Sequence, residues 1–241
     1  MKKLILVCTL AGILLASGFA AGSVFSYWKA GTPVTAEEIA AYGEAKCFAA
    51  EEISDKIFAR MQKKSFREDC TVPRTDLRYI RTLHYDTDGT IYLGEMVCNK
   101  AIATDLIEIF RELYKNKYPI QRMVLIDDYN ASEEEAMRDN NSFCFCFGTV
   151  ANTKVPSAHA KGLSVDINPL YNPYFNDMGD GLRLVEPPTG EPYLDRKKNF
   201  PYKIVKNDLC YKLFIAHGFE WAGERTKRTD YKHFEKKLKS R

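Results

Sequence analysis

The sequence has little net charge, no internal repeats and no low-complexity linker. Among its 241 residues, 35 are Lys or Arg and 32 are Asp or Glu, which gives a net charge of +3 at neutral pH. Subtracting Lys2 and Lys3, which flank an apolar N-terminal run, leaves +1 for the remainder. Nucleic-acid-binding domains show clustered Lys and Arg and a pI above about 9, whereas the pI here is about 8.3. The composition therefore argues against a nucleic-acid partner.

Histidine is scarce, and no serine–histidine pair typical of covalent catalysis is evident. The chain has four histidines, of which His84 and His217 have no partner at a recognisable spacing and are interpreted as core or surface residues.

A C-x-C metal clamp such as Cys144-Phe145-Cys146 needs further thiolates or imidazoles, and no second such pair exists. We interpret these two cysteines as small buried apolar residues.

The sequence opens with an uncharged apolar run from Leu4 to Phe25. Small residues at Ala20 and Ala21 are typical of a signal-peptide cleavage site, but about 20 apolar residues also suffice to span a bilayer. We expect residues 1–27 to be a signal peptide or an N-terminal membrane anchor, and residues 28–241 to form a single domain. On both readings the protein is exported to the periplasm or cell envelope, secreted or anchored by this segment, and contacts a membrane through it alone.

The hydrophobic pattern predicts an α+β fold, with a small antiparallel sheet and helices packed against it. Residues 77–99 alternate around Asp88-Gly89, which is a strong hairpin signal. Helical stripes predict helices over 36–64 and 100–117. Further strands are predicted at 121–129, 142–147, 162–168 and 231–237, short helices at 132–138 and 206–217, and a long loop at 171–203.

The stretch SAHAKGLSVDINP at residues 157–169 places an acid inside an apolar run. On a strand, Asp166 faces away from its neighbours Val165 and Ile167. His159 lies just before this strand, and Gly162, between His159 and the strand, permits a turn. Either His159 and Asp166 form a structural hydrogen-bonded pair, or both side chains point into a shared functional site.

A second histidine and acid lie close together near the C-terminus, in Asp230-Tyr231-Lys232-His233-Phe234-Glu235. Two imidazoles and one carboxylate suffice for a catalytic zinc site with an open position for water. Asp230 then remains free to accept a proton. Positions 230 and 233 face opposite sides of a flat strand, so a turn or bulge must separate them. Glu235 either orients His233 or is a surface acid.

The motif S-x-H-x-x-G-x-x-x-D-I-N, followed late by D-x-x-H-F-E, resembles the VanY-type D-alanyl-D-alanine carboxypeptidase family of zinc peptidases, which cut peptidoglycan stem peptides. The resemblance extends over most of the chain after the leader. It implies Zn²⁺ as the cofactor, with ligands and a general base at matching positions. The implied ligands are His159, Asp166 and His233, the implied base is Asp230, and Ser157 and Gly162 match positions that shape the first motif.

The sequence departs from this family where an arginine is usual, at the end of an F-x-x-R strand. Gly148 stands there, and Arg138 is a candidate substitute. In the family this arginine is thought to hold the substrate or the developing oxyanion, and losing such a donor typically costs about 10²–10³ in rate. Arg225 also replaces an aromatic residue of the family's W-G-G-D-W segment. Tyr171, directly after the first motif, either contacts a peptide or packs its own loop.

These observations predict a single zinc peptidase domain at residues 28–241. The expected activity is hydrolysis of a peptidoglycan stem peptide, most simply at its terminal D-Ala-D-Ala bond. The alternative is a catalytically weak or inactive zinc-containing domain that binds peptidoglycan, because Gly148 replaces the arginine. A third hypothesis is a structural domain stabilised by zinc.

Overall fold

The computed structural model describes residues 22–149, 153 and 155–238, and its named strands pair antiparallel in three sheets between helices. This arrangement confirms the predicted α+β class. The α-helices are α1 (Gly22–Tyr27), α2 (Ala36–Tyr42), α3 (Asp55–Met61), α4 (Ala103–Lys115), α5 (Glu133–Arg138) and α6 (Leu209–Ala216). The strands are β1 (Pro33–Val34), β2 (Ala49–Glu52), β3 (Leu77–Tyr85), β4 (Ile91–Asn99), β5 (Ser164–Asp166), β6 (Tyr174–Gly179), β7 (Leu182–Glu186), β8 (Glu220–Trp221), β9 (Thr229–Asp230) and β10 (His233–Glu235).

The largest sheet has the order β1-β4-β3-β2, and the hairpin of β3 and β4 is its centre. The two strands pair over nine residues each, from Leu77 opposite Asn99 to the tight turn. Asp86 closes that turn by accepting hydrogen bonds from the backbone N–H groups of Asp88 and Thr90. Gly89 takes a positive φ of 81°, as the predicted Asp-Gly turn requires.

The central hairpin is buried on both faces, because its alternating side chains enter two different cores. Met96 and Cys98 of β4 pack with the apolar stripe of α4, whereas Leu93 and Val97 pack on the opposite side. The stripe on α4 was predicted from the sequence and is formed by Leu106, Ile109, Phe110 and Leu113, all of them buried. Burial of each such side chain contributes roughly 1.5–3 kcal/mol.

The long helix predicted over residues 36–64 is wrong, since a strand interrupts it. Helix α2 ends at Gly43, which has a φ of 99°, a value that glycine adopts at little cost. Strand β2 then pairs with β3, with Ala50 opposite Ile80. Ser54 begins a new helix by accepting a hydrogen bond from the backbone N–H of Ile57. Of the apolar stripe that suggested one helix, Ile57 and Met61 lie in α3, whereas Ile53 precedes its N-cap.

The loop predicted over residues 171–203 is also wrong, because it contains the hairpin of β6 and β7. Asp180 and Gly181 form its turn, with φ values of 51° and 76°. This is the same Asp-Gly signal that identified the first hairpin. Residues 142–147, predicted as a strand, and residues 121–125, the first part of another predicted strand, are extended segments held by isolated bridges and single hydrogen bonds, whereas Ile126–Tyr129 form a 3₁₀ helix. Phe145, for example, donates its N–H to the carbonyl of Val97.

Two small sheets lie beside the central one and carry Asp166, Asp230 and His233 of the predicted site. One has the order β5-β10-β8, and the other has the order β7-β6-β9. Strands β9 and β10 follow each other in the chain but belong to different sheets. Residues 231 and 232 form the turn that separates them, which is the predicted turn between positions 230 and 233.

The six cysteines that follow the apolar leader are free thiols. Five of them, Cys47, Cys98, Cys144, Cys146 and Cys210, are buried, and Cys70 is half-buried. Their burial agrees with the reading of Cys144 and Cys146 as small apolar core residues.

The prediction of an exported protein, secreted or anchored by its N-terminal apolar segment, is wrong as stated. Within residues 22–149, 153 and 155–238, no helix is long and apolar enough to cross a membrane. About 20 apolar residues are needed for that, and α4, the longest of the described helices, has 13. Residues 1–21 of the predicted leader lie outside the described residues.

Candidate metal centre

The pairing of β5 with β10 places Asp166 directly opposite His233. Val165 and Ile167 point into the core shared with α4, and Phe234 of β10 joins them there. Asp166 therefore faces the other side of the sheet, as the alternation of the sequence predicted. That side is buried too, since Asp166 has only 2% of its surface exposed.

His159 is held in a short 3₁₀ turn just before β5. Ser157 supports this turn, because its Oγ accepts a hydrogen bond from the backbone N–H of Ala160 at 3.0 Å. Gly162 ends the turn with a φ of 66°. A Cβ atom at Gly162 would lie 2.7 Å from the backbone nitrogen of Asn99. Only glycine fits this turn, which fixes His159 against the central sheet.

The side chains of His159, Asp166 and His233 converge on one point. His159 Nε2 lies 3.2 Å from Asp166 Oδ1, and His233 Nδ1 lies 3.0 Å from the same oxygen. Each residue offers one ligand atom, and these three atoms lie within 4.8 Å of one another. The structure thus brings together the three residues that the two motifs suggested as ligands.

The hydrogen-bond roles at this cluster call for a positive charge. His159 Nδ1 lies 2.6 Å from the carbonyl oxygen of Cys144, which only accepts, so Nδ1 carries a proton. Nε2 of the same ring faces a carboxylate oxygen, which also accepts only. Either this imidazole is doubly protonated or a cation lies between the ring and Asp166. A ligand imidazole in metal sites donates its other N–H in this way, so the donor set fits a metal ion.

The electrostatics of the cluster follow from burial and from the charges around Asp166. Burial alone would raise the pKa of Asp166, but His159 and Lys232 hold it well below its usual range. Burial would lower the pKa of His233, but hydrogen bonding to Asp166 and Glu235 raises it to about 9. The pKa of His159 is also raised, because the Asp166 charge outweighs burial. Without a metal ion, Asp166 therefore favours the protonated form of both imidazoles.

Asp230 lies on β9 next to this cluster and is linked to it by Lys232. Its Oδ1 accepts a hydrogen bond from Lys232 Nζ at 2.7 Å. The same ammonium is 3.9 Å from Asp166 Oδ2. Sequence reasoning missed Lys232, although its position between Asp230 and His233 inside the second motif was a signal.

Of the other predicted site residues, Glu235 lies near the cluster, whereas Arg138 and Tyr171 have partners elsewhere. Glu235 Oε2 lies 3.8 Å from His233 Nε2, on the side of the ring away from Asp166. Arg138 lies at the exposed end of α5 and pairs with Glu134 on the same helix. Tyr171 packs in an aromatic cluster, with its ring centroid 4.5 Å from that of Tyr193. In these contacts neither Arg138 nor Tyr171 has His159, Asp166 or His233 as a partner.

The segment at residues 142–147 also contributes to the site in a way the sequence did not reveal. Phe143 stacks on the His159 ring at 4.9 Å and exchanges backbone hydrogen bonds with Asp166. Gly148 follows this segment, and its carbonyl accepts a hydrogen bond from the N–H of Ser157. A Cβ atom at Gly148 would meet open space. The position that carries an arginine in the resembling family thus lies beside the first motif.

The buried imidazole of His159, the partly exposed imidazole of His233 and the carboxylate of Asp166 are the donor types found in metal sites, and Asp230 is a further acid beside them. Residues 151–236 match the model of a peptidase family described as D-alanyl-D-alanine carboxypeptidase. This match confirms, over that stretch, the resemblance inferred from the two motifs, and it supports a peptidase. It contains all four residues of the predicted ligands and base. Searches among curated proteins and among solved structures gave no match.

Proposed function

We propose that this protein is a zinc metallopeptidase that hydrolyses the stem peptide of peptidoglycan, most simply as a D-alanyl-D-alanine carboxypeptidase. The observation that carries the proposal is the convergence of His159, Asp166 and His233 within 4.8 Å. Two imidazoles and one carboxylate are the ligands of several catalytic zinc sites. The description of the matching family supports the choice of bond.

Zinc held by these three side chains would polarise the scissile carbonyl and make a bound water acidic near neutral pH. The chain's own residues supply the geometry for the rest of the reaction. The carbonyl of Cys144 keeps His159 Nδ1 protonated, so that Nε2 offers its lone pair toward Asp166. Pairing of β5 with β10 fixes His233 opposite Asp166.

Asp230 is the acid that moves the proton in this proposal. It accepts a proton from water as the water oxygen attacks the carbonyl carbon. It then passes that proton to the amide nitrogen as the carbon–nitrogen bond breaks, so the products are an amine and a carboxylic acid, and the acid loses its own proton to solvent. Its position supports this role, because the Lys232 ammonium lies 2.7 Å from its carboxylate and 3.9 Å from that of Asp166. General acid–base catalysis of this kind typically contributes about 10²–10⁴ in rate.

A second candidate function is favoured by the residue at position 148. An arginine there would offer a charged donor beside the first motif, and Gly148 offers none. The Arg138 guanidinium pairs with Glu134 and so does not take its place in the observed contacts. With this donor missing, the protein would be a zinc-containing domain that binds peptidoglycan peptides and turns them over slowly.

The two candidates are separated by an assay of D-alanine release from a stem peptide ending in D-Ala-D-Ala, with zinc content measured on the same samples. Asp230→Asn is the test variant and Asp105→Asn is the matched control, because Asp105 pairs with Lys236 away from the ligands. The proposal predicts release by the wild type and the control, and a loss of about 10²–10⁴ in Asp230→Asn with zinc retained.

Zinc binding and peptide binding without release would instead favour the second candidate. Equal release by wild type and Asp230→Asn would exclude Asp230 as the base. A wild-type protein that takes up no zinc would overturn both candidates.

A further inference from the structure

Lys232 is a buried cation at the boundary between the ligands and the acid proposed as base. Its side chain is 6% exposed, and that of Asp230 is 16% exposed. The backbone carbonyl of Lys232 accepts a hydrogen bond from Ile167, one residue beyond Asp166. The ring of Tyr174 lies 5.8 Å from the ammonium. The lysine is therefore fixed at both its backbone and its charged end.

The ammonium contacts two carboxylates in different ways. It donates a hydrogen bond to Asp230 Oδ1 at 2.7 Å, whereas its distance of 3.9 Å to Asp166 Oδ2 is too long for one. The histidines approach the other oxygen of Asp166, Oδ1. Lys232 thus hydrogen-bonds Asp230 directly, and it approaches Asp166 at Oδ2, the oxygen opposite the one that the two imidazoles contact.

A free carboxylate beside a zinc site is itself a good zinc ligand, because Asp and Glu oxygens bind zinc at about 2.0–2.2 Å. A fourth protein ligand would close the position that a catalytic site keeps open for water. Asp230 can act as a base only if it stays near the metal without binding it. Its hydrogen bond to a buried ammonium opposes such binding, since an unpaired ammonium would then remain in the interior.

We propose that Lys232 is a positioning residue that holds Asp230 beside the metal and keeps it from becoming a fourth ligand. This role rests on the proposed function, since it needs a metal ion at His159, Asp166 and His233. It acts through Asp230, so its effect depends on whether position 230 is a carboxylate. That dependence distinguishes it from a general contribution of Lys232 to folding, which would weaken zinc binding whatever residue stands at 230.

The test is a double-mutant cycle on zinc affinity, measured by competition with a chelator on the folded full-length protein. The variants are Lys232→Met, Asp230→Asn and the double variant, with Lys236→Met as the matched control. Lys236 pairs with Asp105 outside the cluster. Circular dichroism and thermal unfolding establish that each variant is folded. If Lys232→Met does not fold, Lys232→Gln takes its place, and the same direction of change is expected.

We expect Lys232→Met to raise zinc affinity about tenfold more in the wild-type background than in the Asp230→Asn background, within the range that neighbours of metal ligands contribute. The control should leave affinity unchanged. An equal change in both backgrounds, or a fall in affinity with Asp230 present, would overturn the role of Lys232. A wild-type protein without zinc affinity would instead overturn the proposed function, so the two failures are distinguishable.

Discussion

His233 lies directly across the β5–β10 pair from Asp166, with its Nδ1 atom 3.0 Å from Asp166 Oδ1. The two residues are 67 positions apart in the chain, and antiparallel pairing makes them neighbours. His159 joins them from a turn that Gly162 and Ser157 hold in place. The convergence of these side chains is therefore a consequence of strand register, and a slip of one residue would turn Asp166 toward the core.

Removal of either imidazole is expected to abolish tight zinc binding. His159→Ala and His233→Ala each leave two of the three converging ligands. The affinity loss should exceed the roughly 10–100-fold that loss of an outer partner costs. His217→Ala is the matched control, because His217 contacts Asp105 at 3.2 Å and takes no part in the cluster. Zinc titration checks this, and comparable affinities in all three variants would contradict the ligand assignment.

Zinc affinity is expected to fall as the pH decreases below about 9. Zinc binds the unprotonated imidazole, and the pKa of His233 is about 9. Below that pH the ring carries a proton that zinc must displace, and the raised pKa of His159 adds to this competition. We expect about a tenfold loss of affinity per pH unit for each protonated ligand.

Calorimetric titrations of zinc in buffers of different ionisation enthalpy measure the number of protons released. The expected result near neutral pH is about one to two protons per zinc ion. Zinc binding without proton release, and with the same affinity across this pH range, would show that the metal displaces no proton from His233.

Gly148→Arg is expected to increase turnover without changing zinc affinity. Open space surrounds a Cβ atom at this position, and the carbonyl of Gly148 is bonded to Ser157 beside the first motif. A charged donor that reaches the reacting carbonyl is typically worth about 10²–10³ in rate. Steady-state rates on a D-Ala-D-Ala peptide measure the effect. Arg138→Ala should leave the rate unchanged, and unaltered turnover in Gly148→Arg would mean that the missing arginine does not limit the reaction.

Gly162→Ala is expected to destabilise the protein more than Gly89→Ala does. Both glycines have positive φ, at 66° and 81°, so each substitution costs roughly 1–2 kcal/mol of backbone strain. At Gly162 the added Cβ also meets the Asn99 backbone nitrogen at 2.7 Å, whereas Gly89 has open space. This overlap should add about 1–3 kcal/mol. Urea unfolding measures both free energies, and equal losses would show that the turn yields to the methyl group.

The local features of the fold could be predicted because their signals lie within a few residues. The Asp88-Gly89 turn and the stripe on α4 identified the β3–β4 hairpin and its covering helix. The break at β2 was missed because the apolar spacing of α3 was extended back across Gly43. The β6–β7 hairpin was missed because a composition rich in turn residues outweighed its Asp180-Gly181 signal.

The candidate site shows the same division between local and long-range information. His159, Asp166 and His233 stood out because each lies in a short motif with characteristic spacing. Their convergence depends on the pairing of β5 with β10, which no local pattern specifies. The burial of Lys232 was missed despite its place inside the second motif, because a lysine in a polar segment is usually exposed and only the tertiary structure buries it beside two acids.

The most direct test of the central claim is X-ray absorption at the zinc edge on the zinc-loaded protein. We expect one zinc ion per chain, bound by two imidazole nitrogens and by oxygen, at about 2.0–2.2 Å. His233→Ala should lose one imidazole from the spectrum or lose the metal. Sulfur ligands at about 2.3 Å, or a wild-type spectrum unchanged in His233→Ala, would contradict it.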